Sequence, residues 1–349
     1  QKYGAIWTGD NAAEWSHLEI ASPMLLSLNV GSLSFVGADV GGFFGNTDAE
    51  LMTRWMQAGA YTPFFRGHAH HDAKRREPWM FGQETMVRLR KAAMARYALL
   101  PFWYTIFYEA GVTGMPVMRT MWMQYPKTEV LFGTDDQYLV GSDLLVKPVT
   151  APSVVETTVK FPNDDRWYDA ESFALIASGK GKKHGVTEIT VPSDINTIPV
   201  FQRGGSIIAR KLWLRRSSEM MKTDPYTLYV ALDASMSASG YLYMDDEVSF
   251  EHENDYKFAK AHFSFNGSSL TNSVEVGSGW THMLGLMEAD RDVERIIVMG
   301  LNKEPKSLME KSSGKAVDFV YRVVNGTRIL VVRKPQVSAI TDWELVFEY

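Results

Sequence analysis

The chain has 349 residues, of which 45% are hydrophobic and 22% are charged, and its formal net charge is −5. This length allows more than one domain, and the lack of a basic excess argues against a nucleic-acid partner. The chain has no cysteine, which excludes disulfides, thiolate metal sites and cysteine nucleophiles. No apolar run reaches the ~18 residues that a membrane span requires, and no signal peptide is visible.

The pattern of apolar residues over residues 1–112 predicts alternating strands and helices. Short apolar runs of the kind found in buried parallel sheets predict strands over residues 3–7, 33–37 and 61–65, the last interrupted by Pro63. Apolar periodicity predicts helices over residues 15–30, 48–58 and 83–99, and an aromatic run predicts a further helix from residue 102. Three βα units cannot close a barrel by themselves. We therefore expect the last three βα units of a (β/α)8 barrel whose earlier strands lie upstream of Gln1.

The pattern changes after Gly114. Short strand-like segments separated by turn residues are typical of β-sandwiches. We expect two antiparallel β-sandwich domains, a proximal one over residues 113–215 and a distal one over residues 216–349. The predicted fold class is therefore α/β plus all-β, with part of a barrel followed by two sandwiches.

Three polar clusters follow the three predicted barrel strands, where α/β barrels carry their chemistry. They cover residues 7–11, 37–44 and 66–72. In the first cluster, Asp10 follows Trp7 and Gly9, and an apolar neighbour would keep a carboxyl protonated for use as a general acid. The alternative is that Asp10 or Asn11 caps the next helix, and for an isolated aspartate the local pattern favours the cap.

The second and third clusters leave further alternatives open. Asp39 could form a carboxylate pair with Asp10, or it could pair with Arg66 and fix the loops. Phe43 could face a cleft or lie in the core. His68, His70, His71 and Asp72 are the best metal candidates, but the remaining histidines are His17, His184, His252, His262 and His282, and all but His17 lie in the β region. A neutral His68 that donates a hydrogen bond to a sugar hydroxyl is the preferred interpretation.

These clusters resemble glycoside hydrolase family 31. The resemblance rests on three motifs that look like those of the sixth, seventh and eighth barrel strands of that family. They are Tyr3-Gly-Ala-Ile-Trp-Thr-Gly-Asp-Asn11, Gly37-Ala-Asp-Val-Gly-Gly-Phe-Phe44 and residues 54–68. Residues 135–149 and 198–205 resemble its first C-terminal sandwich. Within the family, residues 64–70 and 75–79 are most similar to members that trim N-glycans in the endoplasmic reticulum.

The resemblance implies roles for six residues. Asp10 would be the general acid/base, Trp7, Phe43 and His68 would contact the sugar, and Asp39 and Arg66 would brace the pocket. The family's nucleophile lies in a Trp-x-Asp-Met-Asn-Glu-like motif, which this sequence lacks, so we expect it upstream of Gln1. No cofactor or catalytic metal is implied.

The resemblance also implies a retaining exo-α-glucosidase of the endoplasmic-reticulum lumen that removes α-1,3-linked glucose from high-mannose N-glycans. The expected partners are that glycan, a regulatory β subunit with a lectin domain, and the N-terminal remainder of the same protein. Two sequons, at Asn266 and Asn325, are weakly compatible with a secretory route. The alternatives are another α-glucosidase or α-xylosidase of the family, a metal-dependent hydrolase using His68, His70 and Asp72, and a carbohydrate-binding fragment without activity.

Overall fold

The computed structural model of the protein describes residues 4–213, 215–280 and 291–349. Tyr3, which belongs to the first predicted strand, and His282 lie outside the described residues. The chain divides into two compact units. The first comprises Gln1–Arg96, Glu109–Asp164 and Gly179–Phe201, and the second comprises Tyr97–Tyr108, Asp165–Ser178 and Gln202–Tyr349.

The elements up to residue 113 alternate between short strands and longer helices. In chain order they are β1 (Ile6–Trp7), α1 (Trp15–Val30), β2 (Val36–Gly37), β3 (Asp39–Val40), α2 (Ala49–Gly59), β4 (Arg66–Gly67), α3 (Gln83–Ala98) and α4 (Leu100–Thr113). A short 3-10 helix, Pro78–Phe81, precedes α3. The predicted helices are confirmed to within one or two residues.

The strands pair as expected for part of an α/β barrel. β1 pairs parallel with β2, and β3 pairs parallel with β4, so that Trp7 aligns with Gly37 and Asp39 with Arg66. Apolar residues of α1, α2 and α3 pack with Val40 of β3 in one core cluster that contains Leu18, Leu51 and Leu89. This packing leaves the segments after β1, β3 and β4 at one end of the parallel strands.

The third predicted strand is wrong in its position, because residues 61–65 form turns and the strand is Arg66–Gly67. Pro63 offers no backbone N–H to a neighbouring strand. The carbonyls of this segment are instead bonded by the buried Arg96 guanidinium, which donates to Ala60, Thr62 and Pro63. Burial lowers the pKa of Arg96 to about 10.

The middle of the chain contains short antiparallel strands. Its elements are β5 (Met118–Arg119), α5 (Met121–Gln124), β6 (Tyr138–Val140), β7 (Leu144–Val146), β8 (Glu156–Pro162), β9 (Trp167–Asp169), β10 (Leu175–Ala177), β11 (Val186–Pro192) and β12 (Val200–Arg203). A 3-10 helix lies at Glu129–Leu131. In the first unit, β5 pairs with β6, β6 with β7 and β8 with β11, all antiparallel.

The second unit is dominated by one sheet that contains eleven strands among the described residues. They are β13 (Ser206–Arg210), β14 (Tyr226–Ala231), β15 (Ala238–Met244), β16 (Ala259–Phe265), β17 (Ser269–Val276), β18 (Asp292–Met299), β19 (Ser307–Glu310), β20 (Lys315–Ala316), β21 (Phe319–Val324), β22 (Thr327–Ser338) and β23 (Trp343–Glu348). A 3-10 helix, Glu219–Met221, and a four-residue helix α6, Glu251–Asn254, lie in its connections.

Alternation of apolar and polar residues explains this sheet. In β16, Ala259, Ala261, Phe263 and Phe265 are buried, while the residues between them are more exposed. Residues on one face of the sheet meet in a large core, and alternate residues of the same strands, such as Tyr229, Ile297 and Val331, belong to a second, smaller cluster on the other face. Most neighbouring strands are antiparallel as expected, but β13–β15 and β14–β18 pair parallel.

The predicted fold class, part of a barrel followed by β-sandwich structure, is confirmed. The division into residues 1–112, 113–215 and 216–349 stays a prediction. Among the described residues, the structure contains no helix with the length and apolar character needed to cross a bilayer.

Candidate active site

Three loops leave the ends of the parallel strands in the first unit. We call them the first loop (residues 8–14, after β1), the second loop (residues 41–48, after β3) and the third loop (residues 68–77, after β4). The first helix of each βα unit starts beyond its loop. These loops carry three of the six predicted site residues, and the other three lie in the strands that precede them, so the contacts among the loops define the candidate site.

An ion pair connects the bases of the second and third loops. Arg66 donates from both Nε, at 3.1 Å, and Nη2 to Oδ1 of Asp39. Asp39 is fully buried, whereas the Arg66 side chain is 34% exposed. The guanidinium also lies 5.3 Å from the ring centroid of Trp7 and 5.5 Å from that of Phe64. The predicted pairing of Asp39 with Arg66 is confirmed, and it places Trp7 beside the same cation.

Asn11 joins the first loop to the second. Its side-chain amide donates to the Asp39 carbonyl at 3.1 Å and accepts from the Phe43 N–H at 2.8 Å. The Asn11 carbonyl also accepts from the N–H groups of Phe43 and Phe44. Asn11 therefore fixes the backbone on either side of the Gly41-Gly42 turn. The sequence offered Asn11 only as a possible helix cap.

The glycine turn of the second loop permits this close approach. Gly42 has φ +83°, and a Cβ at this position would lie 2.3 Å from the backbone nitrogen of Ala13. Only glycine fits both the left-handed conformation and the contact with the first loop. The turn directs Phe43 toward the third loop, where its ring centroid lies 5.2 Å from that of His68.

The third loop packs on the second through histidine and arginine side chains. The His70 N–H donates to the Phe43 carbonyl at 3.0 Å, and the His70 ring lies 5.6 Å from the Phe43 ring and 5.4 Å from the Phe44 ring. Arg76 donates to the carbonyls of Gly41, Gly42 and Gly45. Burial lowers the pKa of Arg76. The three loops therefore form one interlocked structure.

The structure brings most, but not all, of the predicted site residues into contact. Phe43 meets His68, and Trp7 meets the Asp39–Arg66 pair. Asp10 is exposed on the first loop, just after Gly9, whose φ of +86° makes the sharp exit from β1. Trp7 is 45% exposed, and His68 is also exposed. The side chains of Asp10, Trp7 and His68 are therefore all accessible to solvent in this chain.

The cap alternative for Asp10 is wrong. The N-cap of α1 is Glu14, and no side chain donates or accepts a capping hydrogen bond there. Asp10 lies four residues earlier, and Asn11 uses its side chain to hold the second loop. A structural role as a helix cap therefore does not account for Asp10.

The metal candidates are only partly brought together. Among the described residues, one group of three potential ligands forms, and it contains His70, His71 and Asp72 without His68. His68 instead packs against Phe43. A metal-dependent hydrolase built on His68, His70 and Asp72 does not fit this geometry.

Sequence reasoning missed the two residues that hold the loops together, Asn11 and Arg76. The sequence suggested Asn11 only as a possible helix cap beside Asp10. Arg76 lies in an Arg-Arg-Glu-Pro-Trp stretch, where its neighbour Arg75 pairs with Glu77 at 2.7 Å. That pairing raises the pKa of Arg75 and lowers that of Glu77. Two adjacent arginines thus have different partners, since Arg76 bonds the second loop and Arg75 pairs with Glu77. The sequence alone does not show which arginine does which.

Comparison with known proteins agrees with this arrangement. Residues 1–106 match the glycosyl hydrolases family 31 TIM-barrel domain, and residues 114–208 match the glycosyl hydrolase family 31 C-terminal domain. The class defined by the fold and the loops is therefore a glycoside hydrolase with an α/β barrel. The chain belongs to glycoside hydrolase family 31.

Within the family, the chain is similar to curated neutral alpha-glucosidases. The chain is 47% identical to neutral alpha-glucosidase AB of Dictyostelium discoideum over 347 residues, which is 98% of this chain and 35% of that protein. It is 44% identical to neutral alpha-glucosidase C of Homo sapiens over 99% of this chain and 36% of that protein. The chain thus spans about a third of the length of these relatives.

Solved structures show the same similarity. The glucosidase II alpha subunit bound to Glc1Man2 superposes with a TM-score of 0.90 at 36% identity, over 99% of this chain and 38% of that chain. A dextranase of family 31 from Flavobacterium johnsoniae, complexed with glucose, superposes with a TM-score of 0.80 at 25% identity, over 100% of this chain and 44% of that chain.

Proposed function

We propose that the whole protein is a retaining exo-α-glucosidase and that this chain supplies its general acid/base, Asp10. The observation that carries the proposal is the interlocking of the three loops. It brings Phe43 against His68 and Trp7 against Arg66, at the end of the parallel strands from which the loop with Asp10 also leaves, and the three motifs follow the chain order of family 31. An aromatic ring beside a sugar-facing imidazole suits a pyranose, whose C–H face is apolar and whose edge carries hydroxyls.

The proposed reaction is a double displacement. A carboxylate nucleophile, supplied by a part of the protein outside this chain, attacks C1 of glucose while Asp10 donates its proton to the leaving glycosidic oxygen. Asp10, now a carboxylate, takes a proton from water, which attacks C1 and releases glucose with the α configuration retained. In the whole protein the two carboxyl groups should lie ~5–5.5 Å apart.

The other residues position the sugar. His68 donates a hydrogen bond to a glucose hydroxyl, and Trp7 and Phe43 border the ring. Asp39 and Arg66 hold Trp7 and the bases of the loops, and Asp39 is not a second catalytic carboxylate because Arg66 binds it in a buried position. No metal or cofactor takes part in the proposed steps.

We propose N-glycans with terminal α-1,3-linked glucose as the substrate, in the endoplasmic-reticulum lumen. The similarity to a glucosidase II alpha subunit that was solved with Glc1Man2 and with alpha3-Glc2 supports this linkage. A related structure is a heterodimer of the catalytic subunit with the binding domain of its regulatory subunit. A glucosidase II β subunit is therefore the proposed partner. Asn266 and Asn325 lie exposed in hairpin turns, as glycosylation acceptors do.

An experiment on linkage separates this function from its alternatives. The full-length protein is expected to release glucose from α-1,3-linked diglucosides, and proton NMR should show the α anomer first. Release of xylose from α-xylosides in place of glucose would favour an α-xylosidase. Glycan binding without turnover would favour a carbohydrate-binding protein.

Asp10→Asn is the decisive variant for the assigned role. It is expected to lower kcat for unactivated α-glucosides by about 10³-fold, since it removes proton donation to the leaving oxygen. Glu14→Gln is the matched control, because it changes an exposed carboxylate four residues away and should keep wild-type turnover. Equal activity of Asp10→Asn and the wild type would contradict the assignment.

A further inference from the structure

The turn that follows His68 carries three side chains with metal-ligand chemistry. His70, His71 and Asp72 each place one ligand atom within 4.8 Å of those of the other two. His70 Nδ1 lies 3.5 Å from one carboxylate oxygen of Asp72, and His71 Nε2 lies 3.3 Å from the other. The proposed glucosidase chemistry does not use this cluster.

The backbone holds this cluster in a defined shape. The Ala73 N–H donates to the His70 carbonyl at 3.0 Å, which closes a turn around His71 and Asp72, and the His70 N–H donates to the Phe43 carbonyl at 3.0 Å. The turn is therefore fixed before any ion arrives. A preformed turn lowers the entropy cost of binding.

The distances suit a tetrahedral ion. Metal–ligand bonds of about 2.0–2.2 Å place the ligand atoms of a tetrahedral zinc site about 3.4 Å apart. Each histidine nitrogen already lies near this distance from an Asp72 oxygen, but the two nitrogens face different oxygens. The side chains therefore have to rotate to place both nitrogens and one oxygen around a single ion. The side chains of His71 and Asp72 are 81% and 79% exposed and can rotate to allow this.

We propose that His70, His71 and Asp72 form a binding site for a divalent transition-metal ion, with Zn²⁺ as the best fit and water as the fourth ligand. Two imidazoles and one carboxylate suit Zn²⁺, Ni²⁺ and Cu²⁺, whereas Mg²⁺ and Ca²⁺ prefer sets of oxygen ligands. The ion replaces the long 3.3 Å hydrogen bond that the Asp72 N–H donates to His70 Nδ1.

The site is coupled to the sugar-facing residues through His70. The His70 ring packs on Phe43, and Phe43 packs on His68. An ion that draws the His70 ring toward His71 and Asp72 shifts the surface against which the Phe43 ring packs, so zinc is expected to inhibit the enzyme by raising KM. This effect on KM rests on the proposed function, whereas binding of the ion does not.

Calorimetric titration of the metal-free full-length protein with zinc chloride tests the site. His71→Ala and Asp72→Ala are expected to weaken zinc binding at least about tenfold. His184→Ala is the matched control, since His184 faces Asp164 at 3.3 Å as a pair without a third ligand among the described residues. It should bind zinc like the wild type.

Steady-state kinetics with zinc complete the test. Zinc should raise KM in the wild type and in His184→Ala, but not in His71→Ala, and an unchanged KM in zinc-bound wild type would overturn the coupling through Phe43. Wild-type zinc affinity in both His71→Ala and Asp72→Ala, or no binding by the wild type at millimolar zinc, would overturn the site itself.

Discussion

The buried carboxylate of Asp39 is the residue on which the loop arrangement depends most. Its Oδ1 accepts from Arg66, while its Oδ2 is buried without a hydrogen-bond partner among the described residues. An unpaired buried charge costs several kcal/mol, so the Arg66 guanidinium that faces Asp39 is what makes this burial tolerable. Arg66 in turn lies beside Trp7. One ion pair thus determines the position of a proposed sugar-binding ring.

Arg66→Ala is therefore expected to destabilise the protein by about 2–3 kcal/mol, below the full value for a buried pair because Arg66 is partly exposed. Urea unfolding of the full-length protein measures this change. Arg75→Ala is the control, because the Arg75–Glu77 pair lies at the surface and its loss should leave the unfolding midpoint unchanged. Equal effects of the two substitutions would contradict the special role of the Asp39–Arg66 pair.

At the scale of the element, the second loop is held by contacts that admit no side chain at Gly42. Gly42→Ala would place a Cβ against the backbone of the first loop at a positive φ. The first and second loops would then separate and Phe43 would leave His68. We expect kcat/KM to fall by about 10-fold or more, in line with the sensitivity of catalysis to small displacements.

Gly45→Ala provides the comparison for this prediction. Gly45 also has a positive φ, +77°, but the nearest atom to its added Cβ is the Ala13 Cβ at 3.9 Å. It should share the backbone strain without the clash. If kcat/KM falls equally in both variants, the close approach of the loops is not what positions Phe43.

Helix α2 shows how far a sequence pattern can go. Its apolar periodicity rests on Leu51, Met52, Trp55 and Met56, of which the first three are buried and Met56 is partly buried. The pattern could not show that Arg54 on the same helix is also buried, because its partners are distant in sequence. Arg54 donates to the carbonyls of Val154, Ser193, Asp194 and Thr197, and burial lowers its pKa.

Arg54→Met keeps the bulk of the side chain but removes the donor to these four carbonyls, although that of Asp194 still accepts from the Thr197 N–H. Because each buried polar group without a partner costs about 1–3 kcal/mol, we expect a loss of at least about 3 kcal/mol. Urea unfolding measures it, with the exposed Arg90→Met on α3 as the control. A loss in Arg54→Met no larger than in Arg90→Met would contradict the bracing role of Arg54.

At the scale of the whole molecule, the fold class was predictable from the sequence. Alternating strands and helices and a series of short strands space their apolar residues differently, so the two regions could be told apart. The position of β4 was not predictable. The segment around Pro63 is held by Arg96, which is thirty residues from β4 in the sequence and donates hydrogen bonds to the carbonyls of Ala60 and Pro63. The contact of Phe43 with His68 could be expected from the common end of parallel strands. The bracing by Asn11 and Arg76 required the three-dimensional arrangement of loops.

The geometry of the loops does not by itself identify a reaction, whereas the family assignment connects them with glycoside hydrolysis. The chain spans about a third of its curated relatives, and it holds the proposed acid/base without the proposed nucleophile. The central claim is therefore that Asp10 moves a proton in a reaction that the whole protein carries out. The absence of a helix-capping role for Asp10 agrees with this claim.

The claim is tested most directly by how the loss of activity in Asp10→Asn depends on the leaving group of the substrate. In the full-length protein, kcat/KM should fall by about 10³-fold on an α-1,3-linked diglucoside but only slightly on α-glucosyl fluoride, whose departure needs no proton donor. Azide, which needs no general base, should restore turnover of the fluoride wherever the second step limits it. An equal loss on both substrates, or no loss on the diglucoside, would contradict the assignment of Asp10 as the general acid/base.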